Sequence, residues 1–167
     1  EGLKKGENLL FYPAGHVKYT RFEDLGGKSA LETILRGAGD VRVVLVRTRG
    51  LWGSMFSRAS GGTPDVPACI RKAVKSLLFS GVFFAPRREV TIEFVETDQL
   101  PRQADRFEQN RHLEDFYNEG APRNTYVPYT IWETGGARVV DEPAGPSAAT
   151  DAQAPEAIWL KVTQYLR

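Results

Sequence analysis

Apolar residues in this chain fall into runs of two kinds. Residues 9–12, Leu-Leu-Phe-Tyr, and residues 41–48 are almost continuously apolar, with Arg42 and Arg47 the only charges in either. Runs of this length and density predict strands covered on both faces, as in a parallel sheet. Between them Leu31, Ile34, Leu35 and Ala38 recur at helical spacing, which predicts a helix packed by one face. Ser29 and Glu32 have capping-box spacing at its start, and Gly37 or Gly39 ends it. Strand, helix and strand predict a βαβ unit with a right-handed crossover.

The second half repeats the logic with different patterns. Pro67 can open a helix whose stripe is Ile70, Val74, Leu77 and Leu78, with Arg71, Lys72 and Lys75 off it. Residues 89–96 alternate, Val90, Ile92 and Phe94 on one side and Thr91, Glu93 and Val95 on the other. Pro101 starts a third helix that buries Leu113, Phe116 and Tyr117. Residues 126–133 read as an extended edge strand or strap, because Pro128 cannot donate to a ladder. Its aromatics Tyr126, Tyr129 and Trp132 then cover the sheet margin.

Together these predict an α/β fold, a mostly parallel sheet with flanking helices. Three parts are expected. Residues 1–133 form the α/β body. Residues 134–157, rich in Ala and Pro towards their end, form a flexible linker. Residues 158–167 begin a further helix or module, with Ile158, Val162, Tyr165 and Leu166 on one face. The chain starts without Met and stops inside that helix, so an incomplete fragment of a longer polypeptide is expected.

Composition narrows the classes. A net charge of +1 over 167 residues disfavours wholesale nucleic-acid binding. One cysteine, Cys69, excludes an intramolecular disulfide and suits the cytoplasm, and one Cys with two His cannot supply a four-ligand structural zinc site. No apolar run reaches the ~18 residues of a membrane-spanning helix.

Candidate chemistry lies at the ends of the two apolar runs. Gly15, His16, Lys18 and Arg21 follow the first, and Arg47 and Arg49 close the second. Ligands of open α/β sheets bind outside the carboxyl ends of the strands, so these six predict a shared anion site. Alternatively, the cations cap carbonyls or solvate loops. A second candidate is Phe83 and Phe84 with Arg87 and Arg88, after the basic helix. They could contact an anionic bilayer, or pack into the core with the charges merely solvated.

The chain resembles the glycerophospholipid (lysophosphatidic-acid-type) acyltransferases. Tyr12-Pro13-Ala14-Gly15 looks like their Phe-Pro-Glu-Gly block. Residues 24–30, Asp-Leu-Gly-Gly-Lys-Ser-Ala, resemble the run into the family's next helix. Residues 46–54, Val-Arg-Thr-Arg-Gly-Leu-Trp-Gly-Ser, and 124–129, Asn-Thr-Tyr-Val-Pro-Tyr, resemble the acyltransferase module of bacterial fusions with an acyl-activating ligase. The resemblance spans residues 2–133 and implies a glycerol-phosphate-acyltransferase-like fold. It also implies transfer of a fatty acyl group to a glycerophosphate or lysophospholipid hydroxyl, in phospholipid synthesis or remodelling. The donor would be an acyl thioester on coenzyme A or an acyl carrier protein. A peripheral place at the inner face of the cell membrane follows from such substrates.

The departures are specific. Ala14 stands where the family carries Glu, and Val17 where it carries Arg. Neither His16 nor His112 has an Asp five residues on, so the family's His-x-x-x-x-Asp motif is outside this chain, which should be inactive alone. The alternative is a non-catalytic lipid- or carrier-binding module of a larger acyl-activating synthetase. A nucleotide-binding domain is set aside, since no glycine-rich phosphate loop occurs.

Overall fold

A computed structural model describes residues 2–144. Three α-helices are present, α1 (Ala30–Ala38), α2 (Val66–Phe79) and α3 (Arg106–Asn118). Four strands are described: β1 (Val44–Arg49), β2 (Thr91–Glu96), β3 (Thr125–Tyr126) and β4 (Arg138–Val139).

The sheet is where the expectation fails. β1 pairs with β2 and β3 with β4, both antiparallel, in two separate two-stranded sheets. The mostly parallel sheet and the βαβ crossover are therefore corrected to a mixed α/β chain with antiparallel pairs. Residues 9–12 form no strand: Leu9, Leu10 and Tyr12 are exposed, and only Phe11 packs against the core. Pro13 and Gly15 instead make a turn, in which the Gly15 N–H donates to Tyr12 O at 3.1 Å and Gly15 has φ 68°.

The helices follow their predicted signals more closely. α1 buries Leu31 and Leu35 and ends at Gly39, which has φ 72°. Its capping box does not form. The Ser29 side chain makes no cap bond, and Glu32 pairs with Arg36 at 2.7 Å one turn on. α2 starts at Asp65, whose carboxylate accepts from Ala68 N, with Pro67 in the first turn. α3 begins at Asp105, later than Pro101 suggests, and the Asp105 carboxylate accepts from Phe107 N and Glu108 N. Both caps satisfy donors that a helix start leaves orphaned.

The core gathers Leu25, Leu31, Leu35, Leu45, Leu100 and Leu113, with Phe116 and Tyr117 at its margin. Leu113 is 2% exposed, and truncating such a leucine to Ala costs about 2–5 kcal/mol. A polar ladder on α3 ties down residues 23–28. Asn110 Nδ2 donates to Gly26 O and Lys28 O, both at 2.9 Å. Glu114 Oε1 accepts from Leu25 N at 2.6 Å, and Asn118 exchanges bonds with the Glu23 backbone at 2.6 and 2.9 Å. The spacing of four places all three on one helix face.

Part of the expected linker is held to the body. β4 pairs with β3, and Asp141 and Glu142 bond to Asn124. The rest of the linker and the helix at 158–167 lie outside the described residues.

Candidate functional site

The structure places the six residues of the predicted anion site on two different elements, Arg47 and Arg49 on β1 and the other four on the loop before α1. Leu45, Arg47 and Arg49 share the inward face of β1, and the two arginines reach the carboxyl end of α3. Arg47 Nη2 and Nε donate to Glu93 Oε2 at 2.6 and 3.0 Å, and Nη1 donates to Phe116 O at 2.5 Å and Glu119 Oε2 at 3.2 Å. Arg49 donates to Glu119 O and Gly120 O. A helix's last carbonyls lack internal partners and carry the negative end of its dipole. Arg47 caps one of them, Phe116 O, and Arg49 holds the two carbonyls just past the helix. Desolvation works against the Arg47 charge, but the bonds and charges of Glu93 and Glu119 prevail and raise its pKa.

The other four residues lie on the loop that leads to α1. Lys18 Nζ sits 3.6 Å from Glu23 and donates to Arg21 O at 3.3 Å. The Arg21 guanidinium lies 4.4 Å from the Phe22 ring centroid. His16 is exposed, its ring 5.1 Å from that of Tyr19. The premise of two parallel strand ends is gone, since residues 9–12 are not a strand.

Of the expected membrane contacts, Phe83, Phe84 and Arg87 are exposed and Arg88 is not. Arg88 is half-buried and grips four carbonyls: Gly50 O at 2.9 Å and Trp52 O at 3.3 Å through Nη1, Gly53 O at 3.0 Å and Thr125 O at 2.9 Å through Nη2. Desolvation lowers its pKa, opposed by Tyr129. Glycine is required where the two segments meet. Gly53 has φ 91°, and a Cβ there would lie 2.2 Å from Thr125 O. Glu142 extends the joint, accepting from Trp52 Nε1 at 2.8 Å and Asn124 N at 3.0 Å. Asn124 is 1% exposed and donates to Ala59 O and Asp141 O.

Beside this joint lies a cleft of about 380 Å³. Ser54 and Met55 line one side, Cys69 and Lys72 of α2 another, and Asn124, Tyr126 and Tyr129 the third. A smaller hollow of about 150 Å³ shares Met55 and Tyr129 with it and adds Leu77, Pro86, Val127 and Pro128. Each cavity also carries charge, Asp65 and Lys72 in the larger and Arg88 in the smaller. Lys72 Nζ lies 4.7 Å from the Tyr129 ring centroid, and Cys69 Sγ donates to Met55 O at 3.0 Å. The Tyr126 hydroxyl donates to Glu133, whose other oxygen accepts from Tyr129 N at 3.2 Å. The Glu133 bond leads burial in pushing Tyr126 up to about 12, and the same bond lowers Glu133. Burial raises Tyr129. With these opposite shifts Tyr126 keeps its proton and Glu133 stays ionised near neutrality.

Sequence reasoning did not single out this cleft. The usable signals were Cys69 and Lys72, three apart on α2, and the two motifs of the resemblance, which the structure brings together through Arg88. Among the described residues no cluster of His, Cys, Asp or Glu has the makings of a metal site, and no helix is long and apolar enough to cross a membrane. No family model, curated protein or solved structure matches the chain.

Proposed function

We propose that this chain is part of an acyltransferase that moves a fatty acyl group from a thioester to a glycerophosphate or lysophospholipid hydroxyl. One observation supports the reading above the rest. The Arg-Gly-Leu-Trp-Gly-Ser and Asn-Thr-Tyr-Val-Pro-Tyr stretches, the most specific in the resemblance, line one cleft together and are joined by Arg88. The lining of the cleft is mainly apolar, which suits an acyl chain, and Lys72 suits a phosphate or carboxylate by charge. In the reaction the acceptor oxygen bonds to the thioester carbonyl carbon, the C–S bond breaks, and the hydroxyl proton passes to the departing thiolate. A base titrating near neutrality must relay that proton, and the resemblance assigns it to a His-x-x-x-x-Asp motif outside residues 1–167.

The test is an assay of thiol release from acyl-coenzyme A with a lysophospholipid acceptor, run on the chain extended upstream through that motif. Turnover is expected in the extended protein and absent from residues 1–167 alone. A bulky maleimide on Cys69 should slow it by filling the cleft. An extended protein that carries the motif and releases no thiol would overturn the reading. The competing proposal, a non-catalytic lipid- or carrier-binding module, draws on Ala14 and Val17, which stand where the family carries Glu and Arg. Absence of the motif within ~100 residues upstream, one domain's span, would favour that module.

A further inference from the structure

α2 and the turn after it carry a surface that the described fold leaves uncovered. No residue of α2 is buried, and its stripe of Ile70, Val74, Leu77 and Leu78 is exposed along its length. The stripe runs on into Phe83 and Phe84, which are 83% and 70% exposed. Trp132, 72% exposed, donates from Nε1 to Phe79 O at 3.4 Å and so adds an indole beside the helix end. Val82 holds the turn at φ 64°, a left-handed conformation that strains a β-branched residue.

Charge decides what covers this surface. Residues 66–88 hold five basic side chains and no Asp or Glu. Arg88 is turned inward on its four carbonyls, which leaves Arg71, Lys72, Lys75 and Arg87 exposed. A second copy of the same surface would set like charge against like. An anionic bilayer offers apolar depth and negative charge together, and indole and phenyl rings settle at its headgroup level.

We propose that the apolar stripe of α2 and the Phe83–Phe84 turn seat this protein on an anionic membrane surface. Arg71, Lys75 and Arg87 supply the attraction, and the exposed rings enter the interface. The inference stands apart from acyl transfer, because vesicle binding requires no turnover.

Co-sedimentation of the full chain tests it, with vesicles of phosphatidylcholine alone and of phosphatidylcholine mixed with phosphatidylglycerol. Binding is expected to the anionic vesicles and should weaken as salt rises. Arg71→Ala with Arg87→Ala should lower partitioning roughly 10–30-fold at low salt, from two surface cations at the usual strength of each. Phe83→Ser with Phe84→Ser should reduce it further, with folding checked by circular dichroism. If the serine variant fails to fold, the arginine variant, confined to exposed side chains, still decides. The proposal is overturned by absence of binding, by equal binding to neutral vesicles, or by indifference to both pairs of substitutions. A dimer that the serine variant dissociates, with no vesicle binding, would reassign the surface to a second copy.

Discussion

Arg47 holds Phe116 in two ways at once. Its guanidinium lies 4.5 Å from the Phe116 ring centroid while Nη1 donates to that residue's carbonyl oxygen. β1 is thereby fixed to the last turn of α3 by a cation that is 8% exposed. Arg47→Ala would strip a helix-end carbonyl of its donor and leave Glu93 and Glu119 facing each other. The carboxylates are partly solvated, which moderates the loss to about 2–3 kcal/mol. Arg47→Lys should recover only part of it, because an ammonium cannot span Glu93 and the helix end in one plane. Urea unfolding midpoints check both.

The Tyr126–Glu133 pair makes a prediction about pH. The folded pKa of Tyr126 is raised to about 12, against an ordinary value near 10. The hydrogen bond's contribution is therefore complete below about pH 10 and lost as pH rises towards 12. For Glu133, which is lowered, it is present above the ordinary glutamate range and lost as pH falls below it. Absorbance titration of the phenolates should show one tyrosine ionising late, and Glu133→Gln should advance it.

Gly53 and Gly61 form an internal comparison. Both have φ 91°, but a Cβ at Gly61 meets nothing within 4 Å, whereas one at Gly53 collides with Thr125 O. Gly61→Ala should cost about 1 kcal/mol, for backbone strain alone. Gly53→Ala should cost at least about twice that and should alter the fluorescence of the neighbouring Trp52. Equal losses would show that the 50–53 turn is not pressed against β3.

Arg88→Gln tests the joint itself. A neutral side chain cannot serve four carbonyls at once, and charge-assisted bonds are the stronger kind. The expected loss is about 2–3 kcal/mol. Because Cys69 is the only cysteine and lines the cleft beside this joint, its thiol should react faster with a disulfide reagent in the variant. A destabilised variant with unchanged thiol reactivity would separate Arg88 from the cleft.

What could be read beforehand follows the physics of each element. α1 and the start of α2 were legible because helical periodicity, the glycine stop and Pro67 act within a few residues. Strand direction was not. An apolar run reports that a segment is to be covered, and carries nothing about which neighbour covers it. β1 found β2, beyond α2, and Ile92 and Phe94 of that pair stay exposed. Adjacent Arg87 and Arg88 read as one solvated pair, yet one faces solvent and the other holds the cleft together. Arg47 and Arg49 read as ligand-binding cations because a helix end and a phosphate attract the same side chain. Asn110, Glu114 and Asn118 gave no signal in the sequence, since their partners are backbone groups 82–95 residues away.

That last separation bears on how the chain is made. Residues 23–28 emerge from the ribosome long before Asn110, Glu114 and Asn118 exist to receive them. At translation speeds of about 5–20 residues per second the wait is on the order of ten seconds. Throughout it Leu25, Leu31 and Leu35 lack Leu113 as a partner. The nascent amino-terminal third must stay shielded or loosely collapsed until α3 arrives, so synthesis stalled ahead of residue 106 should leave a chaperone client rather than a folded intermediate.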